Sequence, residues 1–152
     1  MKLNEAKDLA QNLMNYHGIS NMGWRFKFDS AKRRFGCCKY RSKTITLSMY
    51  LTELNSADEV KNTILHEIAH ALVGVGNGHN EVWKSKAKEI GCSGERCYNS
   101  EKVVTVKGNY EATCVGCNRV HRKYRMRSNV QSCGYCSGGR YNPTYKLNWV
   151  RV

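Results

Sequence analysis

The chain has 152 residues, 41% of them hydrophobic and one of them Pro, which suits one globular domain or one domain with a small appendage. No stretch approaches the roughly 18 apolar residues of a membrane helix, and the N-terminus lacks the apolar centre of a secretory signal, so a cytoplasmic protein is expected. A formal charge of +13 points to a polyanionic partner, and eight Cys in a reducing compartment point to metal ligation ahead of disulfides.

Residues 2–16 place Leu3, Ala6, Leu9, Ala10 and Leu13 at three- and four-residue spacing, an amphipathic helix that Gly18 ends. His17 beside that end is read as a capping or surface group. Trp24 to Phe28 alternates apolar and polar residues as a half-buried strand does. After the basic turn Lys32-Arg33-Arg34, Phe35 to Tyr40 and Thr44 to Met49 form two further strands rich in aromatic and β-branched residues. Cys37 and Cys38 are adjacent on a strand and point to opposite faces, so they do not share a metal, and at least one is a small core residue.

The next element carries the chemistry. Ser56-Ala57-Asp58-Glu59 is a capping box, and nothing interrupts a helix from there to Val73. At about 100° per residue, His66, His70 and Thr63 share one narrow arc with Glu67 at its edge. Apolar residues fill most of the remaining girth, so the helix is buried and its main polar stripe bears the two His and the Glu. His66-Glu67-Ile68-Ala69-His70 fits H-E-x-x-H, in which two imidazoles one turn apart hold zinc and the Glu serves as general base. Two incidental histidines with hydrogen-bond partners are the plain alternative, and three of the chain's five His within this window weigh against it.

Three arrangements compete for the third ligand. The pattern H-E-x-x-H-x-x-G-x-x-H fails, because Val73 and Gly76 stand where Gly and His are required. Glu89 lies on a following helix, Asn80 to Ile90, which carries Val82, Trp83, Ala87 and Ile90 inward and stops at Gly91. His79 opens that helix after the flexible turn Gly74 to Gly78. Either residue could complete the site.

TITLS at 44–48, TILHEIAHAL at 63–72 and GHNEVWK at 78–84 resemble the SprT/Spartan family of zinc metallopeptidases. The resemblance runs over roughly residues 20–90 and includes the stretch from Gly36 to Tyr40. It implies an α+β, zincin-like metalloprotease domain: a helix, a three-stranded sheet, the HExxH helix and a third-ligand helix. It implies His66, His70 and His79 as ligands of a catalytic zinc and Glu67 as the catalytic acid/base. The chain departs from many members in placing only eight residues between His70 and His79. Such a site hydrolyses peptide bonds as a zinc metalloendopeptidase of HExxH type. The metal activates water, and Glu67 takes its proton and returns it to the leaving amine.

Domain organisation is expected as 1–100 for the protease and 101–152 for a zinc ribbon that binds DNA. Cys114-Val115-Gly116-Cys117 and Cys133-Gly134-Tyr135-Cys136 are two C-x-x-C knuckles 15 residues apart, the pattern of a closed structural zinc site. Val103 to Val106, Tyr110 to Thr113, Arg119 to Met126 and Thr144 to Val150 read as its strands. His121 is read as facing solvent or a phosphate, and Cys92 and Cys97 as free thiols. Residues 1–100 carry 15 Lys and Arg against 10 Asp and Glu, whereas residues 101–152 carry 10 against 2. Arg119, Arg122, Lys123, Tyr124, Arg125, Arg127, Arg140 and Tyr141 mix cations with rings as single-strand binders do, charge for phosphates and rings for bases. Some of these aromatics must instead form the ribbon's own core.

The leading expectation is a monomeric, DNA-dependent zinc metalloprotease with one catalytic and one structural zinc. It cleaves proteins bound or crosslinked to DNA, in a DNA-repair role at the nucleoid and away from membranes. The substrate class follows from the resemblance; the basic ribbon only makes recruitment to DNA plausible. The alternatives are a non-catalytic zinc-containing DNA-binding or adaptor protein, and a metallopeptidase that removes a specific DNA-bound regulator.

Overall fold

A computed structural model of the chain describes residues 1–97 and 101–152. These divide into two compact units, Met1–Val106 and Lys107–Val152. The boundary expected after residue 100 falls at 98–100, which lie outside the described residues.

The first unit mixes helices with a small sheet. Its elements are α1 (Leu3–Tyr16), β1 (Arg25–Asp29), β2 (Gly36–Lys39), β3 (Thr44–Ser48), α2 (Met49–Leu54), α3 (Ala57–Val73) and α4 (Glu81–Glu89). The strands lie in the order β1-β3-β2, with β1 parallel and β2 antiparallel to β3. Every residue of the central strand β3 is buried: Ile45 and Leu47 lie in the apolar core, and Thr44, Thr46 and Ser48, which alternate with them, are covered as well. At the end of β1, Asp29 accepts hydrogen bonds from the Thr46 hydroxyl of β3 (2.8 Å), the Ala31 amide (3.0 Å) and the Arg34 guanidinium (2.6 Å). Burial opposes ionisation of this carboxyl, but those donors outweigh it and hold its pKa below the ordinary carboxylate value. The knot fixes the basic turn leading into β2.

Helix α3 begins where the cap predicts, with the Ser56 side chain accepting from the Glu59 amide at 3.4 Å. It serves two apolar clusters at once. Val60, Ile64, Ile68 and Ala71 pack with Ala6, Ala10 and Met14 of α1 and with Ile45 and Leu47 of β3. Leu65 and Ala69 pack on the other side with Trp83 and Ala87 of α4. Burial on both flanks leaves the arc bearing His66 and His70 as the way to the surface.

Two local expectations are corrected. Met49 ends no strand but opens the short helix α2, capped by Ser48, whose side chain accepts from the Leu51 amide at 3.2 Å. Val103 to Val106 is not a strand. The Asn55 side chain donates to the Val104 carbonyl (2.8 Å) and accepts from its amide (2.6 Å), so this segment is tied to the first unit and Val103 lies in its core.

The second unit is a three-stranded antiparallel sheet in the order β5-β4-β6, formed by β4 (Tyr110–Thr113), β5 (Val120–Lys123) and β6 (Val150–Arg151). Arg119 to Met126 thus pairs only over Val120–Lys123. Most of Thr144 to Val150 is not strand: Asn142 accepts from the Thr144 amide and starts a 3-10 turn at Pro143–Tyr145, so turn chemistry overrides aromatic β-propensity. Among the described residues no helix is long and apolar enough to cross a membrane.

Candidate active site and metal centre

Within the first unit, α3 places His66 and His70 one turn apart. Gly74 stops the helix in the left-handed region (φ +79°) and Gly76 takes φ +94°, conformations that side chains other than glycine's rarely allow. The chain thereby doubles back, and Asn80 caps α4 by accepting from the Trp83 amide at 3.1 Å. This reversal carries His79 to the other two imidazoles. His79 Nε2 lies 3.0 Å from His66 Nε2 and 3.1 Å from His70 Nε2.

Trp83, one turn beyond His79, is the shared wall behind all three rings. It is 1% exposed. Its ring centre lies 4.6 Å from that of His66, 5.0 Å from His70 and 4.6 Å from His79, stacked against His70 at 25°. Burial, with the neighbouring imidazoles adding to it, lowers the His66 pKa to about 3 and the His70 pKa to about 4. Burial and the charge of Arg96 also lower that of His79. The rings are therefore neutral at pH 7, the form in which imidazole donates a lone pair to a cation. The His66 ring also hydrogen-bonds the Glu95 backbone, which fixes its orientation.

These three nitrogens form a group able to hold a metal ion. Tetrahedral zinc with bonds of about 2.0–2.1 Å separates its nitrogen ligands by roughly 3.3 Å, so the observed spacing fits. Glu89, the other third-ligand candidate, stands outside this group; both its carboxylate oxygens accept from Lys86 Nζ at 2.7–2.8 Å.

Glu67 lies between the two histidines in sequence and is 6% exposed. Burial raises its pKa to about 8, against opposing pulls from Arg34 and a hydrogen bond from the Cys38 backbone. A divalent cation at the imidazoles would draw that carboxyl down again by Coulomb attraction. Glu67 and the three histidines line one cleft of about 740 Å³. Arg34, Tyr40, Asn62 and Arg96 contribute to its walls, and the Tyr40 hydroxyl donates to the His70 carbonyl at 3.2 Å. Cys37 and Cys38 both line this cleft, and Cys38 also packs, partly buried, against the core. Cys92 is buried and Cys97 exposed, both as free thiols.

Residues 6–108 match the model of the SprT-like family. The chain belongs to the SprT-like family. This SprT-like chain also resembles the solved metallopeptidase zymogen of Methanocaldococcus jannaschii jannalysin. That likeness is 16% in sequence, covers 64% of this chain and 85% of that one, and has a TM-score of 0.47. Among curated proteins none matches. Family membership and the three-imidazole geometry together support a zinc metallopeptidase.

Within the second unit, Cys114, Cys117, Cys133 and Cys136 form another group able to hold a metal ion. The Sγ atoms of Cys114 and Cys136, and those of Cys117 and Cys133, are 3.8 Å apart, the edge of a tetrahedron with Zn–S bonds of about 2.3 Å. Burial opposes ionisation of Cys114, but the backbone amides of Cys117 and Gly116 lower its pKa to about 7. Gly116 has a steric reason to be glycine: a Cβ there would stand 2.6 Å from Tyr145 Cε1. His121, expected to face outward, is half-buried, with its Nε2 shielded from solvent.

The cation-aromatic set divides. Arg125, Arg127, Arg140 and Tyr141 are exposed. Arg119 lies over the exposed Tyr135 ring at 4.0 Å. Arg122 pairs with Glu111 at 2.9 Å, and Lys123 covers the Trp149 ring at 3.8 Å. Tyr124 is half-buried, and its carbonyl accepts from Asn109. Tyr145 and Trp149 pack against the cysteine cluster and supply its small core.

The roles missed from sequence are those of Trp83 as a platform, Tyr40 and Gly36. Trp83 stood four residues beyond His79, and Gly36 and Tyr40 bound a stretch included in the family resemblance.

Proposed function

We propose that this chain is a zinc-dependent endopeptidase stimulated by DNA, acting on proteins bound or crosslinked to DNA. The convergence of three neutral imidazoles beside a buried glutamate is the observation that carries this reading. In it, His66, His70 and His79 would hold a catalytic zinc, and such an ion would supply a water of lowered pKa and a charge to polarise the scissile carbonyl. Glu67 accepts the proton lost by that water and passes it to the leaving amine as the peptide bond breaks. The cleft walls hold the substrate backbone beside that carboxylate.

The four cysteines hold a closed structural zinc in a ribbon, the module of DNA recruitment. Exposed Arg125, Arg127 and Arg140 offer charge for phosphates, and Tyr141 and the Arg119-backed Tyr135 ring offer stacking faces for unpaired bases. The crosslinked-protein substrate comes from the resemblance to Spartan proteases.

Cleavage of fluorescein-labelled casein, with and without single-stranded oligonucleotide, tests the DNA dependence. A rise of tenfold or more on adding the oligonucleotide is expected, falling toward the basal rate above about 0.3 M salt as phosphate contacts are screened. Equal rates with and without DNA would favour a protease directed at one specific regulator. No cleavage under any condition would favour an adaptor.

A further inference from the structure

Strand β2 runs past α3 more closely than any side chain at its first position would permit. A Cβ on Gly36 would stand 2.6 Å from Glu67 Oε1, 2.9 Å from Glu67 Cγ and 2.9 Å from Thr63 Cγ2. Non-bonded carbon atoms settle at about 3.5–4.0 Å, so all three approaches are deep in the repulsive range. Gly36 has no left-handed φ to explain it; the requirement is for space alone.

Neither neighbour can withdraw and keep its present place. Thr63 is 9% exposed, and its hydroxyl is committed to the Glu59 carbonyl at 2.9 Å. Glu67 is buried on the same helix, whose flanks are packed on both sides. Strand β2 is held in turn by its antiparallel register with β3, Gly36 opposite Leu47 and Cys38 opposite Ile45. Gly36 and Cys38 share one face of that strand. One leaves room for the carboxylate, and the backbone of the other hydrogen-bonds it.

We propose that Gly36 is a positioning residue for Glu67: its missing side chain is what seats the carboxylate at the cleft beside the three histidines. The inference rests on the reading of Glu67 as the general base. Its consequence is sharp, because the first atom added at residue 36 must push the catalytic carboxylate aside while meeting none of the three histidines. A displacement of about 1 Å at a reacting group can cost on the order of 100-fold in rate.

Gly36→Ala, Glu67→Asp and their combination test it, with labelled casein as substrate and zinc content and thermal midpoint measured on each protein. Gly36→Ala is expected to keep wild-type zinc content and to lower kcat 30-fold or more with KM within about threefold. In the Glu67→Asp background, where the carboxylate oxygen nearest residue 36 is drawn back by one methylene while the Cγ and Thr63 approaches remain, the same substitution is expected to cost several-fold less than in the wild type. Wild-type kcat in Gly36→Ala overturns the proposal, as does an equal loss in both backgrounds, since that marks a merely structural effect. If Gly36→Ala alone fails to fold, it is made in a Thr63→Ser background, which removes the Thr63 Cγ2 approach: a folded protein with kcat still 30-fold or more down supports the contact with Glu67, and wild-type kcat or no folding refutes it. Cleavage retained by Glu67→Gln would instead overturn the general-base reading, separately from the fate of Gly36.

Discussion

Glu67→Gln is expected to abolish peptide hydrolysis while leaving zinc content and fold at wild-type values. The substitution changes one atom's chemistry and almost no volume. The carboxamide keeps its place against Gly36 and can still accept the hydrogen bond from the Cys38 backbone. It cannot take a proton from water, and general-base catalysis of this kind is worth about 100- to 10,000-fold. It also removes an ionisable group whose charge burial disfavours, so stability is not expected to suffer. Rates of casein cleavage, with zinc measured on the same preparations, provide the check. Lost zinc would make Glu67 part of the metal shell; retained cleavage would take from it any role in proton transfer.

The second large effect is expected in the other unit. Cys114→Ser should release one zinc per chain and unfold Lys107–Val152, with the first unit intact. The second unit has little else to hold it. Its buried core is Ala112, Cys114, Cys133 and Leu147, with the other two cysteines, Tyr145 and Trp149 packed around them. A segment this short buries too little apolar surface to offset its chain entropy. Structural zinc contributes roughly 10–16 kcal/mol in comparable small modules, far more than the whole stability of an ordinary domain. Amide NMR spectra provide the check. Resonances of residues 107–152 should collapse to random-coil positions, and those of the first unit should stay dispersed. Single-stranded DNA binding should fall with them. A dispersed spectrum at one zinc fewer would show that the fold does not need the ion.

The sequence carried different parts of this architecture unequally. Locally determined features were legible: the Ser56 cap, the run of α3, and the glycines that turn the chain back from Val73 to Asn80. Features that depend on distant partners were not. Val103 to Val106 has strand composition, but the Asn55 side chain claims the backbone of Val104 from 49 residues away. Ser48 belongs to a strand by pattern and also caps the next helix, so α2 was hidden behind β3. In the second unit, Asn142 and Pro143 impose a turn on residues whose aromatic character suggests extension. At the site, the chemistry-bearing residues announced themselves by type and spacing, and the structure brings His66, His70 and His79 together. Trp83 and Gly36 act by the volume they fill or leave empty, so lying within stretches that carry the resemblance did not reveal what they do. The choice between His79 and Glu89 was of that second kind. Both lay at workable sequence distances, and what separates them is a chain reversal that brings one to the histidines while Lys86 holds the other at the surface.

A metal standing on three histidines fixes how many zinc ions each variant keeps. Zinc per chain is measured on wild type, His79→Ala and Glu89→Gln after gel filtration against a weak chelator. The expected values are about two, one and two, with X-ray absorption of the wild type showing nitrogen or oxygen ligands near 2.0–2.1 Å beside sulfur near 2.3 Å. Two zinc ions retained by His79→Ala with one lost from Glu89→Gln would contradict it.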